Sequence, residues 1–302
     1  MIIVKLNGGI GNQIIQYAYG RLISNAVHSG IYYLWPNEFA RPSSSTRSLQ
    51  LSHLVESPVL TGVSANFLNL KCKKPFKYIP CLSRCLPDYN NLGFALNDEY
   101  NFYPGCASSQ LASIGIASFL SIDTSWAQFL ALSEAIATES SSIRIRLRKY
   151  AYQVMGERDK NMAASLPASL VVHVRRGDYL GTGYDVLRAS YFQNAYRQMI
   201  ESQCISVQSK VIIVSDSMDQ ALSLLSSNIP QVEPVQSDDP LVALYFLAAA
   251  RARILSNSTL SMCGSALSAN PSMSTFPLFG SVDNSWNQCI LKKMSWILVP
   301  TE

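Results

Sequence analysis

The chain has 302 residues, 48% of them hydrophobic and 15% charged, with a net charge of +4. That apolar content is ample for the cores of two ordinary domains and excludes a disordered chain. The charge is too small for a dedicated nucleic-acid binder, which carries a dense basic stripe; it suits an anionic small ligand or an anionic membrane surface.

The opening MIIVKLNGG is only a strand's length of apolar sequence, without a basic leader or a small-residue cleavage site, so no signal peptide is expected. No run reaches the roughly 18 apolar residues of a membrane span, and PLVALYFLAAAR reads as a buried helix. The expectation is a cytoplasmic protein whose seven cysteines are reduced. Cys72, Cys81 and Cys85 lack a C-x-x-C pair, and His28, His53 and His173 are dispersed, so no metal centre is expected.

A strand is predicted over Ile2 to Leu6, then the turn GGIGNQ, then a helix from about Asn12 to His28 with Ile14, Ala18, Leu22 and Ala26 on one face. In a dinucleotide fingerprint, G-x-G-x-x-G, the third glycine lets the helix close on the strand. Gly9 and Gly11 fit the first two positions, but Ile14 occupies the third. The turn therefore has the geometry to approach a phosphate or sugar without one cofactor's signature. The region from about Trp35 to Pro104 is irregular and predicts short strands and loops, where acceptor-binding surface often lies. Within it Lys71, Lys73, Lys74 and Lys77 read first as a solvated loop and second as a membrane or substrate patch. A helix from Ser125 to about Tyr150 leads toward the second half.

The second half alternates strand and helix. Strand Leu170 to Arg175 precedes helix Tyr191 to Gln203, and strand Val211 to Ser215 precedes helix Met218 to Ser226, where Ser217 and Gln220 predict a capping box. Strand Gln231 to Val235 follows, then a helix opening at Pro240 with Asp239 as N-cap. Strand Arg253 to Ser256 and a helix from Thr259 complete the series. The pattern implies an α/β fold with a parallel, doubly wound sheet, whose ligands bind beyond the carboxyl ends of the strands.

Those ends carry unusual residues. SLVVHVRRGDY ends a buried strand in Arg175 and Arg176, with His173 and Arg175 on one face, and each arginine needs water or an anion. A planar guanidinium fork suits a phosphate, and Gly177 allows a sharp turn around it. An ion pair of Arg176 with Asp178 is the bland use of these charges. Asp216, at the end of IIVSD, reads equally as a ligand for a ribose hydroxyl or guanine amino group and as a helix cap. Ser258 and Thr259 stand at a helix N-terminus, where N–H groups and hydroxyls face an anion. Together these describe a site for a nucleotide diphosphate. No P-loop and no D-x-D pair occurs, so Arg175 and the helix N-terminus, not a metal, are expected to neutralise a leaving diphosphate.

HVRRGDY (173–179), GGIGNQIIQYA (8–18), VSD (214–216) and LSNSTLSMCGSAL (255–267) together resemble glycosyltransferase family 11, the α-1,2-fucosyltransferases. The resemblance implies a GT-B-like architecture, two Rossmann-type domains with a cleft between them. We expect 1–160 to form the acceptor-side domain and 161–302 the GDP-fucose-binding domain. It implies inverting, metal-independent transfer of L-fucose from GDP-β-L-fucose to a galactose-terminated oligosaccharide or surface-glycan precursor, with no cofactor beyond the donor. Matched by residue, Arg175 holds the β-phosphate, Arg176 and Asp178 shape its loop, His173 lines the pocket, and Ser258 and Thr259 bind the diphosphate. Gly9 and Gly11 permit close approach, and Asn12 reaches across the cleft toward donor phosphate or fucose. Asp178 is also the nearest candidate for a general base, with assistance by GDP the alternative. One departure stands out: beyond SNST the family motif usually has two tryptophans, where in this chain Met262 and Cys263 follow Ser261. A non-catalytic nucleotide-sugar-binding relative and an NAD(P)-dependent oxidoreductase are the rival readings, and peripheral contact with the inner face of the cytoplasmic membrane stays open.

Overall fold

The computed structural model describes residues 2–6, 8–26, 30–35, 48–57, 59–61, 118–121, 126–180, 186–226, 229–271, 273–278 and 294–301. The lysine cluster, the cysteine trio, His28 and most of the irregular region lie outside the described residues. The chain divides into two compact units, Met1–Glu139 and Ser140–Glu302.

In the first unit, strands β1 (Ile2–Lys5), β2 (Ile31–Leu34), β3 (Val59–Leu60) and β4 (Ser118–Ser121) form a parallel sheet in the order β3-β2-β1-β4. Helix α1 (Ile10–Ala26) begins two residues earlier than its sequence signal and buries Ile14, Ile15 and Ala18 completely. Its close approach to the strands is made at Gly20, not at the fingerprint's third position. A Cβ on Gly20 would lie 2.7 Å from Ile31 Cδ1 and 2.8 Å from Val4 Cγ2. Ile14 is thereby free to serve as ordinary core. Overpacking such a contact typically costs about 1–3 kcal/mol. Gly20→Val is therefore expected to lower the urea midpoint clearly, and an unchanged midpoint would show that helix and strands are not in this contact.

Helix α2 (Trp126–Val154) contains the boundary between the units. It is followed by α3 (Glu157–Ala164), β5 (Leu170–Val174), α4 (Ala189–Glu201), β6 (Val211–Ser215), α5 (Met218–Leu225) and β7 (Val232–Pro234). Then come α6 (Pro240–Ala249), β8 (Ala252–Ile254), α7 (Thr259–Ala266), β9 (Ser274–Leu278) and β10 (Ile297–Pro300). The six strands of this unit are parallel in the order β10-β9-β8-β5-β6-β7. The fold class is thus α/β with two Rossmann-type parallel sheets. All five residues of β5 are buried, as a strand covered on both faces requires. Helix α4 turns Tyr191, Phe192, Ala195, Tyr196 and Met199 inward, the stripe of an amphipathic helix, against Val172, Val174, Ile213 and Ile254.

The caps divide between expectation and correction. Asp239 caps α6, its Oδ1 accepting the Leu241 N–H at 2.8 Å, with Pro240 at the first helical position. Ser217 stands at the N-cap of α5 but makes no side-chain cap hydrogen bond, so the predicted capping box does not form. Its N–H instead donates to Ser215 Oγ at 3.0 Å. Among the described residues no helix is long and apolar enough to cross a membrane.

Candidate functional site

Strand order in the second sheet reverses beside β5. The chain runs from β5 to β6 and β7 on one side, then crosses to β8, β9 and β10 on the other. A crevice forms at such a switch point beyond the carboxyl ends of the strands, and here β5 and β8 flank it. The segments leaving these two strands are 175–180 and 255–258.

Strand β5 ends at Val174, which leaves Arg175 and Arg176 outside the ladder, and Gly177–Tyr179 forms a 3-10 turn. Arg175 Nη1 lies 2.8 Å from Asp216 Oδ2, and the Arg176 N–H donates to Asp216 Oδ1 at 2.9 Å. Both carboxylate oxygens of Asp216 are thus engaged on the arginine loop. A helix-cap role, one of the two sequence readings of this residue, is not what it performs. Gly177 has a steric reason: a Cβ there would lie 2.5 Å from Asp216 Oδ2. The Arg175 guanidinium also lies 5.4 Å from the ring centroid of Tyr179, within cation–π range. Arg175 thus takes Asp216 as its ion-pair partner; the side chain of Asp178, the partner expected for Arg176, lies outside the described residues.

The facing segment is held at every residue. Tyr191 donates its hydroxyl to the Leu255 carbonyl at 2.5 Å, and Tyr179 donates to the Asn257 carbonyl at 2.8 Å. The Ser256 N–H donates to Ser261 Oγ at 3.1 Å. Ser258 is the N-cap of α7, with its Oγ accepting the Leu260 N–H at 3.3 Å. Thr259 opens that helix, as the sequence predicts. Tyr179 therefore ties one rim of the crevice to the other while its ring stacks on Arg175.

His173 is 2% exposed, with Nδ1 at 2.5 Å from Ser261 Oγ and 2.8 Å from Ser256 Oγ. It links β5 to the segment after β8 from beneath the crevice. Burial, reinforced by the nearby Arg175 charge, pushes its pKa down from 6.5 to about 3. The imidazole is neutral in the folded chain, and the unfolded chain binds the extra proton below the ordinary value. Stability is then fully present above about pH 6.5 and falls as pH drops toward 3. One pH unit in that window is worth up to about 1.4 kcal/mol. Thermal unfolding should show a fall between pH 6.5 and 5 that flattens in His173→Gln; equal slopes in the two proteins would refute the assignment.

Met262 and Cys263, at the positions of the family's tryptophan pair, are completely buried in α7. The next residue, Gly264, has Leu247 of α6 against it so closely that a Cβ would collide. The departure from the family motif therefore falls on helix packing, not on the wall of the crevice.

In the first unit Gly8 adopts φ +73°, and a Cβ there would run into the Asn12 side chain, so this glycine sets the turn. A Cβ on Gly9 would meet nothing within 4 Å. Gly11 and Asn12 lie in the first turn of α1, Gly11 buried and Asn12 partly exposed. Sequence reasoning missed Gln13. It is 0% exposed and uses its whole amide: Nε2 donates to the carbonyls of Gly8 and Ser48, and Oε1 accepts the N–H groups of Gln50 and Leu51, all at 3.0 Å. A glutamine directly before the apolar pair Ile14 and Ile15 was the available signal.

Among the described residues no group of three or more His, Cys, Asp and Glu could hold a metal ion. Forty-two chains of known structure match this one, and no curated protein matches it by sequence. NodZ alpha-1,6-fucosyltransferase soaked with GDP-fucose is 15% identical, over 88% of this chain and 92% of that chain, with a TM-score of 0.49; a further NodZ structure comes from Bradyrhizobium. POFUT1 in complex with GDP-fucose is 15% identical, over 91% of this chain and 97% of that one, with a TM-score of 0.44. A mutant of Arabidopsis thaliana FUT1 in complex with GDP is 8% identical, over 88% and 68%, with a TM-score of 0.49. The profile of glycosyl transferase family 11 matches residues 110–297, which span the arginine turn, Asp216 and the serine-rich helix start, and the chain belongs to that family.

Proposed function

We propose that the chain transfers L-fucose from GDP-β-L-fucose to a glycan acceptor, the 2-OH of a terminal galactose, inverting the anomeric centre without a metal ion. One observation carries this reading: a guanidinium at the switch point of a parallel sheet, fixed by Asp216 and by Tyr179, whose hydroxyl reaches the segment that opens α7. Family membership and the motifs that resemble the α-1,2-fucosyltransferases support the same donor. The acceptor oxygen attacks the anomeric carbon as the bond to the β-phosphate oxygen breaks, and the electron pair leaves on GDP. Arg175 and the N–H groups at the start of α7 meet the charge that develops there, a preorganised arrangement worth about 100- to 1,000-fold in rate per donor. Arg176 shapes the loop through its backbone, and Ser258 and Thr259 border the diphosphate. His173 and Asp216 hold these groups in place, a supporting role added to the donor contacts expected from sequence. The acceptor proton passes to Asp178 or to the departing GDP. The donor grip belongs to unit 140–302, and the reaction is placed in the cytoplasm on a surface-glycan precursor.

Gly9, Gly11 and Asn12 face the donor in this reading. Open space beside Gly9 makes this testable, because a methyl group there meets nothing in the chain. Gly9→Ala and Asn12→Ala should each lower kcat more than they weaken GDP binding; unaltered kcat in both would remove this loop from the site. The donor assignment is tested by assaying nucleotide release from GDP-fucose, GDP-mannose, UDP-galactose and UDP-glucose with a galactose-terminated acceptor, with and without EDTA. GDP-fucose alone should be consumed, equally in both conditions. Consumption of a different nucleotide sugar would overturn the assignment.

A further inference from the structure

A pocket of about 360 Å³ opens on the second unit away from the crevice. Leu166 and Pro167, which line it, precede β5, and Ala249, which also lines it, precedes β8. The pocket therefore lies at the amino ends of strands whose carboxyl ends lead to Arg175 and Ser256. Five strand residues at about 3.3 Å each put the two places roughly 16 Å apart.

The pocket's size is within the usual range for small-molecule sites, about 300–1,000 Å³. Arg144 and Arg148 line it, one helical turn apart on α2, and none of the described residues lining it is acidic. Arg148 lies 5.7 Å from the Tyr152 ring centroid, and Tyr152 packs edge-on against Tyr245 at 5.8 Å. Burial raises the pKa of the Tyr245 phenol, which stays a neutral hydroxyl. The rest of the lining is largely apolar: Leu147 and Leu166 are fully buried behind it, and Pro167 and Ala249 present accessible apolar surface. Two guanidiniums beside accessible apolar surface match a dianionic head attached to a hydrocarbon body.

We propose that this pocket binds an alkyl phosphate, its phosphate between Arg144 and Arg148 and its hydrocarbon on Pro167 and Ala249. Such a group is borne by a soluble phosphate monoester or by an anionic lipid. Calorimetric titration with hexyl phosphate and with inorganic phosphate, and flotation with phosphatidylcholine vesicles containing phosphatidic acid, separate the sources. Hexyl phosphate should bind one per chain without displacement by GDP, and at least about 10-fold more tightly than inorganic phosphate. Arg144→Ala/Arg148→Ala should weaken it at least about 10-fold. Ala164→Trp, at an exposed residue of the lining, should weaken it too, and all variants should keep the wild-type affinity for GDP. Vesicle binding lost in the same variants identifies the lipid-borne form, and its absence beside hexyl phosphate binding identifies the soluble form. Absence of both, insensitivity to both variants, displacement by GDP, or equal affinity for inorganic phosphate would overturn the proposal.

Discussion

Arg175→Ala is expected to lower fucosyl transfer by at least about 100-fold while the far-ultraviolet circular dichroism and melting temperature stay near those of the parent. The asymmetry follows from exposure. Arg175 and Asp216 keep 21% and 23% of their side chains accessible, so their ion pair contributes little to stability, on the order of 1 kcal/mol or less. After the change Asp216 still accepts the Arg176 N–H and has access to water. What disappears is the cation aimed at the departing phosphate. Arg175→Lys retains charge without the planar fork and should recover only part of the rate. Near-normal turnover of Arg175→Ala would sink the site assignment.

Gln13→Leu is expected to be the most damaging substitution to the first unit, with unfolding free energy reduced by about 3 kcal/mol or more. The side chain satisfies two carbonyls and two N–H groups at once, and leucine leaves all four to find other partners. It also releases the Gly8 carbonyl, whose residue holds the left-handed turn before α1. Gln13→Glu separates the halves of the clamp, because it retains acceptors for Gln50 and Leu51 and loses both donors. Denaturant midpoints should rank wild type, then Glu, then Leu. A Leu variant as stable as wild type would show that Gln13 is not the link between the glycine turn and residues 48–51.

The second unit was legible because its signals are local and repeated. Short apolar runs separated by amphipathic helices give β5, β6, α4, α5 and the starts of α6 and α7 within one or two residues, and Asp239 before Pro240 marks a helix start by composition alone; α3, β9 and β10 were not predicted. The arginine turn was legible for a different reason: charge at the end of a buried strand demands a partner. What escaped depends on pairs distant in sequence. That Asp216 carries Arg175 follows from the pairing of β5 with β6, which places Val174 beside Ser215, and no spacing rule encodes it. The same holds for Asp159 of α3, buried to accept the N–H groups of Gln236 and Ser237. Arg253, central in the short strand β8, is wholly buried with its guanidinium on the carbonyls of Leu247, Ala250 and Asn270 and the hydroxyls of Ser268 and Ser274. Gly20 shows the limit of motif reading in the glycine turn. The fingerprint places close packing at residue 14, whereas the tertiary contact places it at Gly20.

Linkage analysis by NMR of the product formed from GDP-β-L-fucose and a galactose-terminated oligosaccharide, in the presence of EDTA, tests the central claim most directly. The expected product carries an α-linked fucose on the 2-OH of galactose, with one GDP released per linkage formed. A β-fucoside, attachment at another position, or no transfer until a divalent metal is restored would contradict it.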